Sequence, residues 1–198
     1  MSDLLLLSGG IDSTAIAAWC RPACGLTIDY GQRPAIAEVR AAAAAAEATG
    51  VEHRVMTVDL SSYGSGDLAG RAAVSLAPVR EWWPYRNQML VTLAAMATVS
   101  EGVQRIMIGC LATDGVHRDG SRDFIIAMDN ALRMQEGAMR LDAPAVELTA
   151  AELIRTSKAP MEVLAWAHSC HMANEACGEC RGCRKHYETL VELGWDPY

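Results

Sequence analysis

Short apolar segments alternate with longer helical segments along the chain. Apolar runs and alternations predict strands at residues 3–7, 24–29, 53–58 and 105–109, with a short fifth strand at 146–148. Helices are predicted at residues 15–20, 34–49, 87–101 and 123–139, in shorter pieces between 150 and 166, and at 184–193. Strands that alternate with helices predict an α/β fold, a parallel twisted sheet with helices on both faces. Ligands of such sheets bind beyond the carboxyl ends of the strands.

The first strand leads directly into a glycine-rich turn. Leu4–Leu7 is apolar, and residues 8–14 read Ser-Gly-Gly-Ile-Asp-Ser-Thr before helix-forming residues follow. A helix that starts after such a turn offers free backbone N–H groups and a partial positive charge, which together bind phosphate. The glycines permit close approach of the backbone, and Asp12 indicates that Mg²⁺ lies between it and the phosphates. The turn therefore predicts a phosphate-binding site.

This turn differs from the common phosphate loops, because it matches neither the Walker A spacing nor Gly-x-Gly-x-x-Gly. It resembles the loop Ser-Gly-Gly-x-Asp-Ser/Thr of the ATP-pyrophosphatase (PP-loop) enzymes. That resemblance implies cleavage of ATP between its α- and β-phosphates to adenylate a substrate. The ATP-binding residues that it implies are Leu7, Ser8, Gly9, Gly10, Ile11, Asp12, Ser13 and Thr14. The alternative, an incidental strand–turn–helix corner, leaves the match at successive positions unexplained.

Cysteines are concentrated near the end of the chain. Four of the seven are Cys170, Cys177, Cys180 and Cys183. Close spacing with intervening glycines indicates thiolates that converge on one metal ion, and four thiolates suit structural, tetrahedral Zn²⁺. Two alternatives are an iron–sulfur cluster, or a histidine in place of Cys170 as the fourth ligand, from among His168, His171 and His186. Cys110 lies apart from this group, and we expect it to be a small core residue rather than a reactive thiol.

Composition narrows the class of protein. The chain has 198 residues, 51% of them hydrophobic, which suits one domain with a small appendage. No apolar run has the length of a membrane span and no signal peptide is evident, so we expect a cytoplasmic protein with no membrane partner. The net charge of −7 argues against non-specific nucleic-acid binding.

We expect an α/β domain at residues 1–160 and a helical zinc-binding lobe at 161–198. The Ser/Gly-rich stretch 61–71 is either a lid or a disordered loop.

The glycine loop and the C-terminal Cys-x₆-Cys-x₂-Cys-x₂-Cys together resemble the 7-cyano-7-deazaguanine synthase (QueC) family. Further similar segments follow in order: Asp-Tyr-Gly-Gln-Arg at 29–33, Pro-Tyr-Arg-Asn at 84–87, Asp114 with residues 122–124, Leu-Thr-Ala-Ala-Glu at 148–152, His-Ser-Cys at 168–170 and Asp-Pro at 196–197. The resemblance implies a ligase that adenylates the carboxylate of 7-carboxy-7-deazaguanine, forms an amide with ammonia, and dehydrates that amide with a second ATP to 7-cyano-7-deazaguanine. It also implies a homodimer.

The resemblance and the chemistry together assign roles to particular residues. The candidate catalytic residues are Asp12, Arg86 and Lys158, because a carboxylate can hold Mg²⁺ and cations can stabilise phosphate charge in the transition state. Arg86 and Asn87 are also expected to contact ATP. The candidate substrate-binding residues are Tyr30, Gln32, Arg33, Asp114 and Arg122. ATP and the deazapurine acid are the expected small-molecule partners.

Several positions depart from the family pattern. Residues 115–121 read Gly-Val-His-Arg-Asp-Gly-Ser, where the family has Ser-Gly-Tyr-Pro-Asp-Cys. Tyr85 replaces a glycine of the family pattern, Pro34 replaces a histidine, and Ala150 replaces a lysine. Activation of an acid is therefore expected to be kept while recognition of the acceptor is changed. The alternatives to nitrile synthesis are transfer of an activated acid to another amine, a tRNA thiolation enzyme, and a non-catalytic nucleotide-binding subunit.

Overall fold

A five-stranded parallel sheet forms the centre of the computed structural model, which describes residues 2–196. Its strands are β1 (Ser2–Leu6), β2 (Cys24–Asp29), β3 (Glu52–Thr57), β4 (Val103–Met107) and β5 (Arg140–Asp142). They lie in the order β3-β2-β1-β4-β5, and every adjacent pair is parallel. The chain moves outward from β1 to β3 and then returns to the other side of β1. The strand order therefore reverses between β1 and β4, which is where such sheets bind ligands.

Helices cover both faces of the sheet, as the sequence predicted. They are α1 (Ile11–Cys20), α2 (Ala35–Thr49), α3 (Gly66–Ala69), α4 (Arg86–Thr98), α5 (Arg122–Arg133), α6 (Ala150–Ser157), α7 (Met161–Leu164) and α8 (Arg181–Glu192). Alternate residues of β1 point to opposite faces. Leu4 packs in the cluster that holds α4 and α5, whereas Leu5 packs in the cluster that holds α1, α2 and α6. Both leucines are fully buried, which explains why β1 is apolar at successive positions.

The fifth strand was predicted at the wrong place. It is β5, at Arg140–Asp142, and residues 146–148 form turns instead. Only Leu141 of β5 is buried, and charged residues lie on either side of it. Because β5 is at the edge of the sheet, these charges remain near solvent, as is common in edge strands. A three-residue strand with one apolar position leaves no recognisable alternation in the sequence.

Several helix boundaries also differ from prediction. Helix α1 begins at Ile11 rather than Ala15, so half of the glycine turn is already helical. Helix α5 ends at Arg133, before the predicted end at 139. The 61–71 stretch is neither open nor without structure, because it contains a short 3₁₀ turn and α3. Leu68 of α3 is 1% exposed, so this stretch is packed onto the body of the protein.

The C-terminal residues pack against the sheet domain. Leu164 of α7 and Leu190 of α8 lie in the same buried cluster as Ile16 of α1 and Leu153 of α6. Apolar packing is therefore continuous across residue 160. The division into folding units at 1–160 and 161–198 remains a prediction. In residues 2–196, no helix combines the length and the hydropathy needed to cross a membrane. The predicted Asp-Pro ending lies partly outside the described residues, since Pro197 is not among them.

Candidate active site

A cavity of about 250 Å³ opens beyond the carboxyl ends of β1, β2 and β4. Its walls come from the loop after β1, the segment after β2, the start of α4, the loop after β4, and the C-terminal lobe. These segments are distant in sequence, and the topology brings them together beyond β1 and β4, the adjacent strands between which the strand order reverses. The cavity is therefore the candidate active site.

The phosphate loop, residues 8–14, forms the wall beside β1. The Oγ atoms of Ser8 and Ser13 lie 3.1 Å apart, and the Ser13 hydroxyl donates to the carbonyl of Gly10 at 3.1 Å. Gly10 precedes α1 in extended conformation and provides no side-chain cap. The first N–H groups of α1 are thus available to an anion. The predicted loop residues that line the cavity are Leu7, Ser8, Gly10, Ile11, Asp12 and Ser13.

The other two predicted loop residues, Gly9 and Thr14, lie behind this surface. Gly9 has a φ of +75°, and a Cβ there would lie 2.5 Å from the Glu38 carbonyl and 2.8 Å from the Ala42 nitrogen. Helix α2 therefore packs directly on the loop, and only glycine suits both the conformation and the space. Thr14 is fully buried, and its hydroxyl has no partner among residues 2–196.

Lys185 of α8 joins the phosphate loop to the loop after β4. Its Nζ lies 2.9 Å from Asp12 Oδ2 and 3.1 Å from Asp114 Oδ1. Burial raises the pKa of Asp12, and the ammonium of Lys185 opposes that rise. The second oxygen of Asp12, Oδ1, is buried with no partner among the described residues. This unpaired oxygen, with Asp114 close by, fits the hard oxygen ligands that Mg²⁺ prefers.

Arg86 enters the cavity from the first residue of α4. Burial opposes its charge, but Tyr30, Asp119 and Glu38 more than compensate and keep its pKa above the usual value. Asn87 beside it donates from both its backbone and side-chain nitrogens to Asp119, at 3.0 and 2.9 Å. The structure thus brings Arg86 and Asn87 to the cavity, and Asp119 fixes the start of α4 against the 110–122 loop.

The segment after β2 contributes Tyr30 and, from α2, Glu38. Gln32 supports both, since its Oε1 accepts from Tyr30 N at 2.8 Å and its Nε2 donates to Glu38 Oε2 at 2.7 Å. Burial is the main reason why the pKa of Glu38 is raised to about 7. Tyr30 lines the cavity, whereas Gln32 holds its neighbours in place from behind.

A second charged group lies across the cavity. The carboxylate of Glu81, 5% exposed, contacts Arg181 Nη1 at 3.1 Å and His117 Nε2 at 3.5 Å. Burial opposes ionisation of Glu81, but hydrogen bonds from His117 and Arg181 outweigh it and lower its pKa to about 2. His117 belongs to the stretch that departs from the family pattern. The wall that it forms therefore includes the ion pair of Glu81 and Arg181.

Three predicted site residues lie away from the cavity. Lys158 follows α6 and lines a groove with Arg21, at the far end of α1. Because α1 has ten residues, that end is about 15 Å from the phosphate loop. Arg122 is exposed and pairs with Glu147 at 2.7 Å. Arg33 is exposed and packs beside Gly70. The structure therefore does not bring these three cations to the cavity, and their assignment to the site stays a prediction.

Sequence reasoning missed several residues of the cavity. They are Lys185, Glu38, Glu81, His117, His171 and Arg181. Lys185 and Arg181 lie within or just after the cysteine cluster, so that proximity was a signal. Glu81 has no local signal, because its partners are distant along the chain.

The four cysteines converge as predicted. The sulfurs of Cys170, Cys177, Cys180 and Cys183 all lie within 4.8 Å of one another. Zn–S bonds of about 2.3 Å place the thiolates of a tetrahedron about 3.8 Å apart. The pairs Cys177–Cys183 and Cys170–Cys180 measure 3.9 and 4.0 Å. The group can therefore hold one metal ion, with Cys170 rather than a histidine as the fourth ligand.

Cys110 behaves as the predicted core residue. It is 2% exposed and belongs to the buried cluster beneath α4, although one side borders the cavity. Burial raises its pKa to about 12, so the thiol stays protonated at neutral pH.

Comparison with known proteins agrees with these features. Residues 2–194 match the family described as Queuosine biosynthesis protein QueC. The chain belongs to the QueC family. It is 34% identical over 210 residues to the 7-cyano-7-deazaguanine synthase of Thiobacillus denitrificans, covering 96% of this chain and 94% of the relative. It is 32% identical over 209 residues to that of Acinetobacter baylyi, covering 96% and 91%. The chain is accordingly an enzyme of the ATP-dependent carbon–nitrogen ligase type.

Two solved structures share the fold. The U34-tRNA thiolase NcsA from Methanococcus maripaludis, solved with its [4Fe-4S] cluster, superposes with a TM-score of 0.54 and 13% identity, over 98% of this chain and 66% of that chain. The NMN synthetase from Francisella tularensis superposes with a TM-score of 0.51 and 16% identity, over 98% of this chain and 78% of that chain. At these identities the likeness establishes the PP-loop type of fold alone, which confirms the predicted fold class.

Proposed function

We propose that this protein adenylates the carboxylate of 7-carboxy-7-deazaguanine and converts it with ammonia, through an amide, to 7-cyano-7-deazaguanine. The observation that carries the proposal is a single cavity in which a phosphate loop faces Arg86 and Lys185. The chain is similar over nearly its whole length to relatives named 7-cyano-7-deazaguanine synthase, including a 30% identical one from Methanosarcina barkeri. One cavity for both reactants suits a reaction in which an acid attacks a nucleotide.

The phosphate loop suits departure of pyrophosphate. A carboxylate oxygen of the acid attacks the α-phosphorus of ATP, the bond to the bridging oxygen breaks, and pyrophosphate leaves. The hydroxyls of Ser8 and Ser13 and the first N–H groups of α1 border the space where it would lie. Donors fixed before the reaction stabilise the leaving charge without reorganisation.

Arg86 is placed to bind the groups that react, the carboxylate of the acid and the α-phosphate of ATP. Its guanidinium lies at the same cavity, and a planar fork binds carboxylate or phosphate with two parallel hydrogen bonds. We assign it to hold the acid against the α-phosphate and to stabilise the charge that develops there. Mg²⁺ would be held by Asp12 and Asp114, and when bound it neutralises phosphate charge.

Glu38 is the candidate proton acceptor in the second step, in which ammonia converts the adenylate to the amide. Ammonia attacks the acyl carbon, AMP leaves, and the nitrogen loses a proton to give the amide. A carboxyl group with a pKa of about 7 is matched to accept that proton near neutral pH. In the third step the amide oxygen attacks the α-phosphorus of a second ATP and pyrophosphate leaves. Loss of AMP and of both N–H protons of the amide then yields the nitrile.

A second candidate function is transfer of the activated acid to another amine, on a protein or a metabolite. The 115–121 stretch favours it, because it lacks the family's aromatic residue and places His117 against Glu81. A charged wall at this position alters what the cavity accepts after adenylation. Thiolation of tRNA and a purely nucleotide-binding role have no comparable observation in their favour.

Incubation with Mg-ATP and 7-carboxy-7-deazaguanine, with and without ammonium, separates these functions. Pyrophosphate is followed continuously, and products are identified by mass. Nitrile formed only with ammonium supports the first proposal. Pyrophosphate release that stops at the adenylate or amide supports transfer to another acceptor. Absence of ATP turnover with this acid contradicts both. Lys158→Met, outside the cavity, is the control and should behave as wild type.

We further propose that the cysteine group holds one structural Zn²⁺. A [4Fe-4S] cluster holds its thiolates around four iron atoms and so keeps them farther apart than a single ion does, whereas these sulfurs lie within 4.8 Å. Metal analysis of protein purified without added metal tests this, with one zinc per chain and no iron expected.

Three points of organisation are also proposals. They are a homodimer, a cytoplasmic location, and folding units at residues 1–160 and 161–198. Sedimentation analysis tests the first, microscopy of the tagged protein the second, and limited proteolysis with and without a zinc chelator the third.

A further inference from the structure

One side chain connects the cysteine lobe to the phosphate loop. Lys185 lies in α8, two residues after Cys183, and only 28% of its side chain is exposed. Its ammonium contacts Asp12 at 2.9 Å and Asp114 at 3.1 Å. Asp114 is itself held in place, because its Oδ2 accepts from the backbone N of Leu111 at 3.0 Å. Three segments of the chain therefore meet at this ammonium.

The cysteines determine where Lys185 stands. Cys180 precedes the first residue of α8, and its Sγ accepts from the backbone N of Cys183. A metal ion that fixes these two thiolates also fixes the first turn of α8. Lys185 follows on the next turn, and its carbonyl accepts from the hydroxyl of Thr189 within the same helix. The direction in which Lys185 points is thus coupled to the cysteine centre.

The charges of Lys185, Asp12 and Asp114 indicate the role of the contact among them. Two carboxylates share one ammonium, so the group carries one net negative charge. Lys185 occupies Oδ2 of Asp12 and leaves Oδ1 without a partner among residues 2–196. Without the ammonium, Asp12 and Asp114 would repel each other and any nucleotide phosphate that enters.

We propose that Lys185 is a positioning residue for the nucleotide: it holds Asp12 with one oxygen free for the magnesium ion of Mg-ATP, and it makes the cysteine lobe part of the phosphate site. This rests on the proposed function only in taking a magnesium–nucleotide complex as the ligand. The role of Lys185 does not depend on which acid the nucleotide activates.

Binding measurements on Lys185→Met test the proposal without relying on turnover. Calorimetry with Mg²⁺ and α,β-methylene-ATP gives nucleotide affinity, and the spin resonance of Mn²⁺ gives metal affinity without nucleotide. We expect nucleotide affinity to fall by about tenfold or more, because the carboxylates of Asp12 and Asp114, no longer paired with an ammonium, repel the phosphates. Mn²⁺ affinity should stay the same or rise, because a positive charge beside two carboxylates is removed. Zinc content should remain that of the wild type.

Two variants serve as controls. Lys185→Arg should recover most of the nucleotide affinity, since a guanidinium can pair with two carboxylates. Arg184→Met, at the exposed neighbouring position on α8, should bind nucleotide as wild type does. Unchanged nucleotide affinity in Lys185→Met overturns the proposal. Joint loss of zinc, Mn²⁺ and nucleotide also overturns it, because that pattern indicates a purely structural role. If wild type binds no Mg-nucleotide, the proposed function fails as well.

Discussion

The phosphate loop and the 110–122 loop border the same cavity, yet different parts of the chain determine their conformations. The phosphate loop is held by bonds among its own residues, such as the hydroxyl of Ser13 to the carbonyl of Gly10. The 110–122 loop also has local bonds, such as Leu111 N to Asp114 Oδ2, and Lys185 contacts an aspartate of each loop. The 110–122 loop depends in addition on the distant Glu81, which contacts His117. Most residues of the nucleotide site therefore lie in one short stretch of sequence, whereas the wall that contains His117 also depends on a remote partner, Glu81.

The largest expected effect is at Asp12 of the phosphate loop. Asp12→Ala removes one of the two partners of Lys185 and one candidate Mg²⁺ ligand, so we expect pyrophosphate release to fall about a thousandfold or more. The melting temperature should change little, because Asp12 is not a member of either apolar cluster that packs on the sheet. Asp123→Ala, an exposed carboxylate at the start of α5, is the control. Retained turnover in Asp12→Ala would remove Asp12 from the mechanism.

The glycines of the two loops provide a direct contrast. Gly9→Ala should destabilise the fold by about 1–3 kcal/mol and abolish nucleotide binding, because the new Cβ meets the backbone of α2 at a positive φ. Gly115→Ala should be tolerated, because no atom lies within 4 Å of a Cβ built there. Thermal unfolding and nucleotide calorimetry measure both. Equal losses in the two variants would mean that the loops do not differ in this way.

The remote support of the 110–122 loop is tested at Glu81. Glu81→Gln weakens its contacts with Arg181 and His117, and we expect the KM for the acid to rise about tenfold. Nucleotide affinity should be unchanged, because the phosphate loop does not depend on Glu81. Glu179→Gln, an exposed position in the C-terminal lobe, is the control. A fall in nucleotide affinity instead would show that the two walls are not separable.

The same division explains what could be read from the sequence. The phosphate loop and the four cysteines were recognisable because each is a short pattern of specified residue types. Strands β1 to β4 were recognisable because they are apolar at buried positions. Strand β5, with one buried residue, gave no such pattern. Lys158 was assigned to the site and Lys185 was not, because only the packing of α8 and α6 determines which lysine reaches the cavity.

The carboxyl group of Glu38 makes the stability of the folded protein depend on pH. Its pKa is raised from 4.5 to about 7, mainly by burial, so the folded state binds its proton more tightly than the unfolded state. Stability should therefore fall as pH rises from about 4.5 to 7. Glu38→Gln should lose this part of the pH dependence, measured as melting temperatures at several pH values across that range. Glu47→Gln, exposed on the same helix, should keep it. Parallel curves for Glu38→Gln and wild type would contradict the raised pKa.

The smallest expected effect is at Tyr85, before α4. Its φ is +54°, in the left-handed region, and its side chain is 73% exposed. The family's glycine at this position would adopt that conformation without strain. Tyr85→Gly should stabilise the protein by up to about 1 kcal/mol, whereas Tyr85→Ala should not, because alanine keeps the steric cost. Equal stability of the two variants in denaturant unfolding would argue against strain at this residue.

In the proposed reaction the phosphate loop directs the acid to the α-phosphorus of ATP. Labelling the carboxylate of 7-carboxy-7-deazaguanine with ¹⁸O tests it most directly, with mass analysis of the nucleotide product. Attack at the α-phosphorus predicts pyrophosphate and AMP that carries one ¹⁸O atom from the acid. Formation of ADP with ¹⁸O in inorganic phosphate, or of AMP without label, would contradict the account.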